Sequence, residues 1–583
     1  MPTPSQSIGA PIPNNTPHAV SVTLPTWEAT VGYEEGESWV VDKMNSGYPR
    51  FFIHSQIQTL CKLLEASYAR EDERCMIFPS YKVAKRAREF IKKKSLNSPP
   101  VRILQLSSPA PTNDEEKSYR IEANISALFF PSQEFSLAKQ YWQHSGEGIS
   151  SRLGEYFFNE MKDKVSIEAS KNIRRGSGRS STSRASRSSK SNRSSLSKGK
   201  EEGETFIEER FGRNLDLSFA DKAKNLLKER LANEVKDVNK EDIYLYPSGM
   251  GAIFNAHRII LNTIGELPSN SNVLVEPSVR NEEKSVCFGF PYVDTLNILR
   301  KWGAGCHFYG FGDDHSLDDL ERRLEQGERI LSLFCEFPSN PLLKTPDIIR
   351  ISELSKKYNF AVVIDETVAN LSNVEVLPYA DFIVSSLTKI FSGDSNVMAG
   401  CMILNSKSRY YSTFKSWMNE DYEDLFWSQD AIYLERNSRD FVQRSKVMNE
   451  NAEAVIKLFQ SELGEELIEN IFYPSVVESK GHYDKVKKAD GGYGALISIV
   501  FKESADAVCF FNTIELSKGP SLGTNFTLVC PYAILAHFQE LDEVEKWGVD
   551  RNLVRMSIGM EKKEDLVERI REALECAKEQ HNL

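Results

Sequence analysis

The stretch Phe382-Ile383-Val384-Ser385-Ser386-Leu387-Thr388-Lys389, read with Ala361-Val362-Val363-Ile364-Asp365 upstream of it, decides the fold. A short apolar run ending in Asp is what a buried parallel strand delivers to the carboxyl edge of a sheet, where open α/β folds place their ligands. The second run ends in hydroxyls and a lysine. An acid, two hydroxyls and a primary amine on adjacent strand ends meet the needs of pyridoxal phosphate. The amine serves the aldehyde, the carboxylate the ring nitrogen, and the hydroxyls the phosphate. A solvated loop lysine is the bland reading of Lys389, and the surrounding pattern weighs against it.

Upstream, Tyr244-Leu245-Tyr246-Pro247-Ser248-Gly249-Met250-Gly251-Ala252 passes from a strand pattern through small residues into a helix pattern. Free backbone N–H groups and the positive helix end then face one point, which is an anion site. Strand patterns at Asn272 to Val275, Gly305 to Gly310, Ile330 to Glu336, Ala361 to Asp365 and Phe382 to Ser386 alternate with helix patterns, as in a mostly parallel sheet wrapped by helices. A helix is expected from Phe219 to Val235, and a long one from about Ser428 to Leu463 leading into a smaller α+β unit. That unit has strand patterns at Ala495 to Phe501, Phe526 to Val529 and Val554 to Ile558, closed by a helix from Lys562 to Gln580.

The chain has 583 residues and a net charge of −11, so it exceeds one ordinary core and argues against general nucleic-acid or membrane binding. No apolar run approaches the length of a membrane span. The nine cysteines show no CxxC pair and no zinc-ligand spacing, which favours a reducing compartment and no metal. The start lacks a secretory signal, and no arginine precedes Arg50, so a cytoplasmic protein is expected, with the nucleus open. The expected organisation is an amino-terminal extension over 1–165 with its first 18 or so residues flexible, a disordered Ser/Arg-rich linker over 166–205, a cofactor-binding domain over 206–430 and a small domain over 431–583. For the linker, a solvated insertion stands beside a nucleic-acid contact or phosphorylation site. Within the extension, Gly47-Tyr48-Pro49 reads as a turn feeding a buried segment. Val83 to Lys94 reads as a basic amphipathic helix, with a solvated face or a phosphate-binding surface as its alternatives.

From about Phe206 onward the sequence resembles the Cys/Met-metabolism family of pyridoxal-phosphate enzymes. The resemblance rests on Glu336-Phe337-Pro338-Ser339-Asn340-Pro341, Asp365 and Ser386-Leu387-Thr388-Lys389. Residues 1–165 resemble the amino-terminal extension of the family's fungal members. The resemblance implies fold type I, the aspartate-aminotransferase-like α/β architecture. It implies that Lys389 joins the cofactor and moves the substrate's α-proton, and that Asp365 faces the ring nitrogen. Ser386, Thr388, Gly249 and Met250 would hold the phosphate, Tyr292 would stack on the ring as a catalytic group, and Asn340 would lie near the ring oxygen. Arg213 would reach the phosphate in a neighbouring subunit, which implies a homo-oligomer, dimer or tetramer, with shared sites. Arg555 would take the substrate carboxylate, and Ser521 would border it.

The same resemblance implies γ-replacement, with L-cysteine joined to an O-acylhomoserine to give cystathionine. A cystathionine lyase or homocysteine synthase would use nearly the same residues. A non-catalytic regulatory or RNA-associated protein on the same fold is the rival of another class. Four departures bear on substrate choice: Phe211 where the family has tyrosine, Asn214-Leu215-Asp216 for Asn-Pro-Thr, Glu366 for asparagine and Asp394 for histidine.

Overall fold

The computed structural model describes residues 7–44, 46–49, 51–162, 215–266 and 280–581. Arg213, Phe211, Asn214, the Ser/Arg-rich linker and the expected strand from Asn272 to Val275 lie outside them. Three sheets organise the rest.

The extension is built on an antiparallel sheet of β1 (Glu73–Phe78), β2 (Arg102–Ser107) and β3 (Asn124–Pro131), in the order β1-β3-β2. Its strands have two apolar faces because successive side chains point to opposite sides. Cys75, Ile77, Ile125, Ala127 and Phe129 pack against Ile57, Leu60 and Leu64 of helix Ser55–Tyr68. Met76, Phe78, Leu128 and Phe130 pack against helices Tyr81–Lys94 and Phe135–Ser145. The basic helix expected at Val83 to Lys94 is therefore half core: Val83, Ala84, Ala87, Phe90 and Ile91 are buried. Residues 7–18 are not a loose tail. Ile12 N donates to Ser21 O at 3.1 Å and Thr23 N to Ala10 O at 2.8 Å, so this segment folds back on 21–24, whose Val22 and Leu24 are buried.

The central sheet contains β4 (Ile243–Tyr246), β5 (Lys284–Phe288), β6 (Cys306–Tyr309), β7 (Ile330–Glu336), β8 (Ala361–Asp365), β9 (Phe382–Ser385) and β10 (Gly400–Leu404). Their order is β4-β10-β9-β8-β7-β5-β6, and β10 alone runs against the others. Both faces are covered. Val362 and Ile364 lie in one core, and Ala361 and Val363 in the other together with Ala252, Ile253 and Ala256 of helix Gly249–Asn262. This double burial is why β7, β8 and β9 read as unbroken apolar runs.

The last sheet contains β11 (Ile468–Phe472), β12 (Leu496–Phe501), β13 (Ser517–Lys518), β14 (Leu528–Pro531) and β15 (Leu553–Ser557), ordered β11-β12-β15-β14-β13. Helix Lys563–His581 packs on it through Leu566, Ile570 and Leu574. The long helix expected from Ser428 to Leu463 is three: Ser428–Asn437, Phe441–Phe459 and Glu462–Leu467. At the first break the Asn437 carbonyl accepts from the buried Arg444 guanidinium at 2.9 Å, and Ser438 Oγ bonds back to Leu434 O at 2.7 Å. Side chains there take backbone acceptors that a continuous helix would use.

Candidate active site

The carboxyl ends of β7, β8 and β9 converge on one cavity of about 210 Å³, lined by parts of all three sheet units. Register places Glu336 beside Asp365, and Asp365 beside Val384, so strand pairing itself assembles the edge from which Ser386 to Lys389 continue. Lys389 is buried and its Nζ donates to Ser521 Oγ at 2.9 Å and to Tyr48 Oη at 3.2 Å. Ser521 sits at φ 88, a conformation that costs about 1–3 kcal/mol and that persists where surroundings enforce it. Here the enforcing group is Arg555, whose Nη2 donates to Ser521 O at 2.6 Å while Nη1 donates to Asn340 Oδ1 at 2.9 Å. The guanidinium also stacks over the Tyr532 ring at 4.6 Å. Arg555, Ser521, Asn340 and Lys389 thus form one bonded constellation.

Asp365 lines the same cavity. Thr367 N and Oγ1 donate to its Oδ1 at 2.9 and 2.6 Å, yet burial still raises its pKa above the ordinary value. A buried carboxylate of this kind favours a cation beside it. Glu336 goes further: burial, with Asp365 adding to it, pushes its pKa up to about 8. Its two oxygens accept from the backbone N–H groups of Tyr292 and Asn340, the latter at 3.0 Å. It therefore fixes two of the expected ring-contacting residues, a role the sequence reading did not assign. The Tyr292 hydroxyl lies 3.6 Å from Met250 Sδ. Glu366 is also pushed up to about 8, chiefly by burial, and its Oε1 has no hydrogen-bond partner among the described residues. Asp394 is buried and accepts from Asn525 Nδ2 at 2.7 Å.

The strand-to-helix turn that the sequence pattern placed at 244–252 is present, running from β4 into helix Gly249–Asn262. Helix Gly249–Asn262 is capped by Ser248, whose Oγ accepts from Gly251 N at 3.0 Å, and the Gly249 and Met250 amides belong to the first turn, which has no intrahelical acceptors. A Cβ on Gly249 would fall 2.6 Å from Ser386 Cβ, so glycine is what lets the helix end approach the β9 loop. Thr388 lines the cavity, but its hydroxyl donates to Ala399 O at 3.2 Å and accepts from Ala399 N at 3.0 Å. It braces the loop, and Ser386 is the more open hydroxyl.

The extension closes the cavity, which motif reading missed. Gly146 O accepts from Ser248 Oγ at 2.8 Å. Buried Glu147 receives Arg86 at 2.5 Å, Tyr141 Oη at 2.7 Å and Asn255 Nδ2 of helix Gly249–Asn262 at 3.3 Å. Arg152 pairs with Asp430 at 2.9 Å, both buried. The sequence marks Gly47-Tyr48-Pro49 as a turn but gives no sign that it reaches the cavity, and Gly146-Glu147 belongs to no motif.

A family model described as Cys/Met metabolism PLP-dependent enzyme matches residues 208–575, well over half of the chain. The chain belongs to that family. Pyridoxal phosphate is accordingly its cofactor, and the donor set fits it: a buried amine, a carboxylate that favours a cation, and a glycine-lined helix end. A second model, described as fungal trans-sulfuration enzyme, N-terminal domain, matches residues 56–150. Among curated relatives of this family member, the cystathionine γ-synthase of Saccharomyces cerevisiae is 43% identical over 98% of this chain and 99% of its own. That of Neurospora crassa is 44% identical over 99% of each. A crystal structure of the Xanthomonas oryzae pv. oryzae cystathionine γ-synthase with cystathionine aligns at TM-score 0.51 and 24% identity, covering 63% of this chain and 89% of that one, which shows the fold.

Proposed function

We propose that this chain is a pyridoxal-phosphate-dependent γ-replacement enzyme that joins L-cysteine to an O-acylhomoserine, giving cystathionine and a carboxylic acid. The observation that carries the reading is the full-length kinship with two fungal cystathionine γ-synthases at 43–44% identity. In the reaction the Cγ–O bond of the ester breaks, a Cγ–S bond forms, and the thiol proton leaves with the carboxylic acid.

When bound, the cofactor supplies a ring that spreads the charge left on carbon after a proton is removed. Lys389 would hold it and move the α-proton, with Ser521 Oγ at 2.9 Å keeping the amine in place. Asp365 would keep the ring nitrogen protonated. Ser386 and the Gly249 and Met250 amides would take the phosphate, with Thr388 bracing them and Tyr292 and Asn340 at the ring. Arg213, outside the described residues, would reach a neighbouring copy's phosphate, so a homo-oligomer with shared sites belongs to this reading. Arg555 has five N–H donors, and its bonds to Asn340 and Ser521 leave donors for a substrate carboxylate. Nine unbonded cysteines fit a reducing compartment, cytoplasm or nucleus, and no helix among the described residues is long and apolar enough to cross a membrane.

The test is an assay of the purified holoenzyme with each homoserine ester plus L-cysteine or sulfide. Cystathionine from cysteine is expected. Homocysteine from sulfide without any cystathionine, or net breakdown of cystathionine, would replace this reading with the synthase or lyase alternatives. Absence of a visible cofactor band would remove the enzyme reading altogether.

A further inference from the structure

The loop at residues 46–49 carries Tyr48 from the extension into the cavity floor. Its hydroxyl lies 3.2 Å from Lys389 Nζ, and its ring centroid lies 4.9 Å from the same atom. The loop is held in place by its surroundings. Ser46 Oγ donates to Ala19 O at 3.1 Å, and Phe51 N donates back to Tyr48 O at 2.9 Å. A Cβ on Gly47 would strike Phe52 Cβ at 2.5 Å, so the turn is tight. The neighbouring segment is tied to the catalytic loops: Ser21 Oγ donates to Pro520 O at 2.7 Å, and Val20 N to Ser395 O at 2.8 Å. Tyr48 is thus positioned by the same strap that borders Ser521.

A lysine that removes a proton from carbon gains a positive charge in the act. Groups already aimed at the site of developing charge lower the barrier because they need not reorganise. A phenol oxygen accepting from the ammonium and an aromatic face beside it both do this. Position 211, by contrast, holds phenylalanine, which offers a ring without a hydroxyl. We propose that Tyr48, delivered by the chain's own amino-terminal segment, is a catalytic residue that holds the Lys389 amine and stabilises the charge it gains on taking the substrate's α-proton. The inference deepens the reading above and rests on its placement of Lys389.

The test compares Tyr48→Phe and Tyr48→Ala with the wild-type holoenzyme. The α-proton of L-2-aminobutyrate, which has no γ leaving group, is followed by NMR as it exchanges with D2O. Cofactor occupancy is read from visible absorbance, and folding from thermal unfolding. Losing one charge-assisted bond should slow exchange about ten- to a hundredfold in Tyr48→Phe. Tyr48→Ala, which also loses the ring, should be slower still. Occupancy and melting temperature should hold in Tyr48→Phe, and the primary isotope effect with α-deuterated substrate should rise as proton transfer becomes more limiting. Exchange within about twofold of wild type in Tyr48→Phe would overturn the proposal. Loss of cofactor with exchange per bound cofactor intact would overturn it too, because Tyr48 would then serve binding alone. A wild-type protein that exchanges the α-proton but forms no cystathionine would sink the γ-replacement reading and leave the Tyr48 comparison standing. A wild-type protein that exchanges nothing would overturn both.

Discussion

Replacing Arg555 with lysine keeps one positive charge in the cavity lining and removes a planar fork. In the structure that fork makes bonds of 2.9 Å to Asn340 Oδ1 and 2.6 Å to Ser521 O, and it is buried. A lysine ammonium is a compact charge that cannot reproduce two parallel bonds to a carboxylate while serving both neighbours. One charge-assisted bond to the substrate is then lost, about 1.5–3 kcal/mol, which is on the order of a ten- to hundredfold fall in kcat/KM. Leaving one buried acceptor without its donor adds a stability cost of about 1–3 kcal/mol. For a unit of about 150–250 residues that cost corresponds to roughly 2–12 °C in melting temperature. Steady-state kinetics of Arg555→Lys, with occupancy checked by absorbance, separates the two effects. Near-wild-type kcat/KM with a lowered melting temperature would show that Arg555 only supports Ser521 and Asn340, and the assignment of the carboxylate site would be refuted.

Other substitutions probe the frame of the site. Glu366 keeps its proton up to about pH 8 in the folded chain, against an ordinary value of 4.5, because burial disfavours its charge. Between those values the unfolded chain has lost a proton that the folded chain retains, so stability falls as pH rises through that window. Glu366→Gln should therefore lie close to wild type near pH 5 and gain on it by roughly 4 kcal/mol by pH 8.5, read from unfolding curves; an equal difference at both pH values would contradict this. Arg86→Met strips buried Glu147 of its 2.5 Å partner. Since Arg86 is itself a fifth exposed, the loss should be about 2–3 kcal/mol, toward the low end for a broken buried pair, and a variant as stable as wild type would count against the extension buttressing the phosphate site. Gly249→Ala places a Cβ 2.6 Å from Ser386 Cβ. It should weaken cofactor binding about tenfold or more while the fold persists, and unchanged affinity in an absorbance titration would move the phosphate elsewhere.

Much of the central sheet was legible because strands buried on both faces tend to read as apolar runs: β7 and β8 have the bounds those runs suggest, Asp365 ends one of them and Lys389 follows β9, while β5, begun by the exposed Lys284, was missed. Of the last sheet, β12, β14 and β15 were found for the same reason, while β11, with exposed Glu469 and Asn470, and the two-residue β13 were not. The extension was opaque for a different reason. What matters in it, Tyr48, Gly146 and Glu147, acts through contacts with residues more than a hundred positions away in sequence, such as Tyr48 with Lys389. Glu336 was visible as part of a motif, but its task of holding two backbone N–H groups depends on how the chain turns after β7. The break after Asn437 depends on Arg444 reaching back to a carbonyl, which no periodicity encodes.

The decisive question is whether the Lys389 site joins two amino acids through sulfur. Wild-type protein and Lys389→Ala should each be incubated with an O-acylhomoserine and with L-cysteine carrying heavy carbon and nitrogen, and the products read by mass spectrometry. Wild type should yield cystathionine that contains the intact labelled cysteine skeleton, and Lys389→Ala should yield none. Cystathionine made equally by Lys389→Ala, or a sulfur product without the labelled carbons, would contradict the γ-replacement reading.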